Sequence, residues 1–84
     1  MERIIDYLIE DKDGMCIDTC DKLDYCKMSI ERYLEEDYKV LDYTIKEKPG
    51  TNSSVFNVKV LVETKNKNVA YREFTIFKCI YNAN

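Results

Sequence analysis

Histidine and tryptophan are absent from this chain of 84 residues, glycine occurs twice and proline once. The missing histidine removes the commonest general base and the usual partner of a nucleophilic cysteine or serine. Gly14 and Gly50 are too few and too far apart to form a phosphate-cradling loop. No apolar run approaches the roughly 20 residues that a membrane span requires. The opening Met1-Glu2-Arg3-Ile4-Ile5-Asp6 is charged within its apolar stretch and lacks the h-region of a signal peptide. A cytoplasmic protein with reduced thiols is therefore expected. The acidic residues are abundant, but none forms an isolated pair in apolar surroundings that would split two pKa values for acid–base work. Together these absences point away from an enzyme and from any cofactor.

What is present is charge, in an uneven distribution. Residues 1–42 carry six Lys/Arg against thirteen Asp/Glu, a local net of −7, and residues 43–84 carry seven against three, a local net of +4; the two sum to −3. Apolar residues make up 45% and charged residues 35%, inside the globular range and away from disorder. A chain this short builds one domain, residues 1–84, with a small core. Such cores are often supplemented by a metal, a disulfide or a second copy of the chain, and a homodimer is expected here.

The hydrophobic period changes along the chain. Met1, Ile4, Ile5, Leu8 and Ile9 recur at helical spacing, predicting a short helix that ends near Asp11 and is closed by Asp11-Lys12-Asp13-Gly14. Leu23, Cys26, Ile30, Tyr33 and Leu34 mark a second helix, with Asp18 as N-cap and an end near Asp37. From Tyr38 the period drops to two. Leu41, Tyr43 and Ile45 alternate with polar residues in a first strand, and Lys48-Pro49-Gly50-Thr51 turns the chain. Phe56, Val58, Val60 and Val62 then share one face of a strand from Val55 to Glu63. The Lys65-Asn66-Lys67-Asn68 tip leads to a last strand, Val69–Tyr81, which places Ala70, Phe74, Ile76 and Ile80 on the matching face. The predicted fold class is α+β, two N-terminal helices packed on a three-stranded antiparallel meander (α-α-β-β-β).

Three groups of residues are candidates for binding. Cys16, Cys20, Cys26 and Cys79 supply the four thiolates of a closed zinc site, without a Cys-x2-Cys knuckle. They read first as small buried hydrophobes, with a metal site, a disulfide pair or reactive thiols as the alternatives. Asp18, Asp21 and Asp24 continue into Glu31, Glu35, Glu36 and Asp37 as an acidic helical surface. Such a surface steers a protein toward a basic partner, including one that handles nucleic acid, or simply keeps a small domain soluble. Finally, the strand alternation places Tyr71, Phe77 and Tyr81 on the sheet face away from the valines, beside Lys59 and Leu61. That aromatic face suits a protein interface, base stacking, or cover by the first helix. With a pI near 4.9, direct nucleic-acid binding is not expected.

The helix leading into a long antiparallel meander over residues 18–81 resembles a minimal cystatin-like or NTF2-like sheet, a likeness that implies a ligand-holding cup or an assembly domain. The small size, acidity and Lys/Asn/Ile/Tyr-rich composition are similar to small phage or mobile-element proteins that inhibit host machinery. The sequence thus predicts a small acidic interaction module that binds and regulates or inhibits a protein partner. The alternatives are a cysteine-based zinc-stabilised module and the ligand-holding cup.

Overall fold

Each apolar stretch of the chain except one is rich in β-branched and aromatic residues, and each of those becomes a strand. The computed structural model describes residues 2–83. In chain order the elements are β1 (Glu2–Asp11), β2 (Cys16–Cys20), α1 (Leu23–Leu34), β3 (Tyr38–Glu47), β4 (Val55–Thr64) and β5 (Val69–Ala83). The five strands form one antiparallel sheet in the order β2-β1-β5-β4-β3. The single helix among the described residues lies across one face of it.

This corrects the expected architecture, which had two helices and three strands. The stretch expected as a first helix is β1, paired with β5 from Glu2↔Ala83 to Asp11↔Phe74. Ile4, Ile5, Leu8 and Ile9 satisfy a helical period, but they equally place Ile5 and Ile9 on one face of a strand and Ile4 and Leu8 on the other. A strand flanked on both sides by partners can carry apolar residues on both faces, so the two periods become indistinguishable. Met1, assigned to the same stripe, lies outside the described residues. Cys16 to Cys20, expected to extend the second helix backwards, form β2 and pair with β1 through Tyr7↔Cys20 and Ile9↔Asp18. Asp18 is therefore a strand residue rather than an N-cap. That position belongs to Lys22, which makes no side-chain cap bond.

The two glycine turns follow the expected chemistry. Gly14, at φ 85°, and Gly50, at φ 80°, occupy the left-handed region in the β1–β2 and β3–β4 connections. In the β4–β5 tip the left-handed residue is Lys67, at φ 66°, rather than one of the flanking asparagines. Both edge strands carry a bulge: the register shifts between Ile9 and Glu10 opposite β2, and between Val40 and Asp42 in β3. The second bulge inserts Leu41, so Val40 rather than Leu41 packs toward the core and Leu41 is exposed.

The core is one layer thick. Cys26, Ile30 and Leu34, four residues apart on α1, lie on Ile9, the valines Val58, Val60 and Val62, and Phe74 and Ile76. Burying a side chain such as Ile30 stabilises by about 1.5–3 kcal/mol. Ile80, expected on the same apolar face, lies beyond the helix and is 49% exposed, whereas Ile76 is 0% exposed. Ile76→Ala is expected to cost about 2–5 kcal/mol in urea unfolding, and Ile80→Ala less than about 1 kcal/mol. Equal losses at the two positions would contradict this placement of the core.

Candidate functional site

The helix is fixed laterally by one carboxylate on each flank. On the β2 side the Ser29 hydroxyl donates to Asp18 Oδ2 at 2.7 Å, and the Thr19 backbone N–H donates to Asp18 Oδ1 at 2.8 Å. On the β3 side the Tyr43 hydroxyl donates to Glu31 Oε1 at 2.6 Å. The Ser29 and Thr19 donors hold the Asp18 carboxyl below the usual carboxylate range. Burial, reinforced by the Glu31 carboxylate, pushes the Tyr43 phenol up to about 12. Of the seven acids expected as one recognition surface, Asp18 and Glu31 therefore tie the helix to the two edges of the sheet.

The other five acids are free of such duties. Asp21 and Asp24 stand at the start of α1, and Glu35, Glu36 and Asp37 in the connector to β3; all five are exposed. The only ion pair among the described residues joins Lys67 Nζ to Glu63 Oε1 at 3.8 Å, within the β4–β5 hairpin. The five acids thus face solvent without a close ion pair, although Lys22, Lys27 and Arg32 share the helical segment with them and Lys39, Lys65 and Lys67 line an open groove with Glu35, Glu36 and Asp37. Tyr25 and Met28, both exposed, lie on the outer side of α1 among these acids, and Lys22 Nζ sits 5.6 Å from the Tyr25 ring. Neither apolar residue was singled out by the sequence pattern. Their helical offset from Cys26 and Ile30 was the available signal.

The aromatic face lies on the opposite side of the sheet. Tyr71, Phe77 and Tyr81 project from β5 away from Phe74 and Ile76, as the alternation predicts. Cover by a first helix, one of the expected fates of this face, does not occur, because that segment is β1. Leu8 instead joins the face in register with Phe77, and Val55 does so from the other side. Tyr71 is 60% and Tyr81 53% exposed, while Phe77 is half-buried among its neighbours. The Lys59 ammonium lies 5.1 Å from the Tyr71 ring. Tyr81, beside Cys79, has its phenol pushed upward.

The fold places Cys20 beside Cys26 and keeps Cys16 and Cys79 away from that pair. Cys26 is buried under α1, with its thiol 3.6 Å from the Lys22 carbonyl, and Cys20 on β2 lies 3.3 Å from Ser29 Oγ. Cys16 is exposed and pairs in register with Glu10, while Cys79 pairs with Asp6. No group of three or more Cys, Asp or Glu side chains is placed to hold a metal among the described residues. The carboxylate of Asp11 instead accepts the N–H groups of Asp13 and Met15 at 2.9 and 3.0 Å, closing its own hairpin loop.

An open groove of about 910 Å³ separates the C-terminal half of α1 from the β1–β2 tip. Its aromatic side chains serve packing: Tyr33 meets Phe74 edge-on at 6.0 Å, and the Arg72 guanidinium stacks 4.9 Å over Tyr38 while donating to its hydroxyl. Basic and acidic residues line it in mixture, with no single charge preference.

Compared with protein-family models, curated proteins and solved structures, the chain matches none. The helix does run into an antiparallel meander, β3 to β5, but no solved structure supports the resemblance to a cystatin-like or NTF2-like sheet. The last strand of the meander also pairs with β1, and β2 extends the sheet further.

Two outcomes follow for solution measurements. Burial, with the nearby Cys20 adding to it, pushes the Cys26 thiol up to about 12. Under native conditions at pH 8, Cys16 is therefore expected to be alkylated rapidly and Cys26 only on unfolding, as read by peptide mass mapping; comparable rates would refute the packing of α1. Because the Asp18 pKa is lowered in the folded state, its contribution is present above the unfolded value near 3.9 and is lost as pH falls through the lower folded value. Ser29→Ala should flatten the fall in stability below about pH 4 seen in acid titration, and an unchanged acid limb would remove the Asp18 clamp.

Proposed function

We propose that the chain is a small, non-enzymatic interaction module that binds and regulates or inhibits a protein partner carrying a basic surface. The carrying observation is the exposure of Asp21, Asp24, Glu35, Glu36 and Asp37 along α1 and its connector, away from the clamps that hold the helix. Such a concentration of one sign raises encounter rates with a basic partner and sets orientation, and its effect weakens with salt. Tyr25 and Met28, exposed among the acids, provide apolar anchors of the kind that carry affinity once the charges have steered the encounter. A nucleic-acid-handling protein fits this description, since its own binding groove is basic. Small phage and mobile-element inhibitors are a biological setting consistent with such a partner.

The test uses the chain immobilised through a terminal tag, alongside D24K/E35K/E36K, with captured proteins identified by mass spectrometry and then purified. The expected result is a partner with a basic surface whose affinity for the native chain falls with added salt and drops about tenfold or more in the triple variant. A partner held equally by both forms at all salt concentrations would overturn the proposal.

A further inference from the structure

We infer that the uncovered face of the sheet is the contact surface for a second copy of the chain, forming a face-to-face dimer about an axis running along β5. The inference concerns the side opposite the acidic helix and does not depend on what that helix binds.

Two ways for this sheet to associate exist, by its edges or by its face, and the edges are obstructed. β2 is five residues long and β3 carries Lys39 and Lys46, and both are interrupted by a bulge. Short, charged and bulged edge strands resist pairing with another chain. The face has unbroken strands and, between its charged side chains, continuous apolar rows. Leu8, Phe77 and Val55 form a continuous apolar row across β1, β5 and β4, and Leu61 and Tyr71 form another toward the β4–β5 tip.

The contact area is that of a weak, concentration-dependent dimer. β1 lies beside residues 74–83 of β5 and β4 beside residues 69–77, so two copies overlap along the whole of β5 but their flanking strands overlap only at the rows of residues 74–77. At about 3.4 Å per residue and about 4.8 Å between strands, that overlap is about 450 Å² per copy, hence about 900 Å² in total, in the range of transient interfaces.

The charges are self-complementary about the same axis. β5 is the central strand, so a two-fold along it lays the Leu8–Asp11 end of β1 of one copy over the Val55–Val58 end of β4 of the other. On this face β1 carries Asp6 and Glu10, whereas the β4–β3 side carries Lys59, Lys46 and Lys39 together with Asp42 and Glu63; of the two β1 acids, Glu10 falls within the overlap. Glu10 shares a cross-strand row with Thr75, Asn57 and Lys46, so the axis brings it over Asn57 of the second copy, between that copy's Lys46 and Lys59. The symmetry repeats the contact. Phe77 meets Phe77 on the axis, and Leu8 meets Val55, at the spacing of about 10 Å at which facing sheets interdigitate. Glu73, the acid on the axis, lies in cross-strand register with Lys59 of its own chain.

The test is sedimentation velocity of the full chain from 1 to 200 μM, without any added partner. The expected species has twice the 10.0 kDa chain mass. Phe77→Glu should convert it to monomer, with circular dichroism confirming that the fold persists. Because Phe77→Glu also perturbs a half-buried position, Glu10→Lys provides a second variant: it should weaken dimerisation about tenfold, and the double variant E10K/K59E should recover most of that loss. Labelling of Cys79, on the same face, should slow as concentration rises, while labelling of denatured chain does not. A monomer at 200 μM overturns the inference, as does a dimer indifferent to all three variants. Either failure leaves the salt-dependent capture by the acidic helix unaffected.

Discussion

Everything in this molecule depends on one ridge of α1, Cys26, Ile30 and Leu34, resting on a stripe of valine, isoleucine and phenylalanine drawn from three strands. A single helix of 12 residues can cover only part of a five-stranded sheet. One covered face is enough to make a continuous core, because the contributing side chains at Ile9, Val60, Val62 and Ile76 are completely removed from water. It leaves the other face to solvent or to a partner. The core and the candidate interface therefore arise from the same shortage of helix.

The helix is held in place by chemistry at its flanks as well as by its apolar underside. Hydrogen bonds from Ser29 to Asp18 and from Tyr43 to Glu31 reach the two outermost strands, which lie at opposite ends of the strand order. Each contributes about 0.5–1.5 kcal/mol at most in such accessible positions. Their effect is chiefly on orientation: with both edges tied, α1 resists rolling about its axis, and Tyr25 and Met28 stay pointed outward. Two acids that looked equivalent to their neighbours in sequence therefore have a structural use. The exposed ones carry the recognition reading alone.

How much of this could be read from sequence varied with how local the information was. The meander from Tyr38 onward was legible because turn residues and a period of two are properties of neighbouring residues, and the open face bearing Tyr71, Phe77 and Tyr81 followed from alternation alone. The β1–β2 hairpin was not legible. Ile4, Ile5, Leu8 and Ile9 fit helix and strand alike, and what decides between them is the pairing of β1 with β5, some seventy residues away in the chain. Cys20 illustrates the same limit: its apolar environment was anticipated, but it reaches that environment from a strand that turns toward the helix rather than from the helix itself. Leu41 was misplaced by a bulge, which inserts a residue without any marking glycine or proline.

The same long-range pairing changes the meaning of the charge division. If the acidic half had been helical and the basic half strands, the molecule would have a negative layer over a positive one. Instead β1 and β2, from the acidic half, complete the sheet begun by the basic strands, so its open face grades from Asp6 and Glu10 on one flank to a weakly basic flank, Lys59, Lys46 and Lys39 against Asp42 and Glu63, on the other. A layered dipole favours stacking of unlike faces in open-ended order. A gradient across one face has a different consequence, because a two-fold rotation superimposes its negative flank on its positive one and closes the assembly at two copies. The acids of α1 and its connector lie outside that compensation on the other side of the sheet. In such an assembly they would be displayed twice, on opposite outer surfaces, leaving the helical acids available to a partner while the sheet charges satisfy one another.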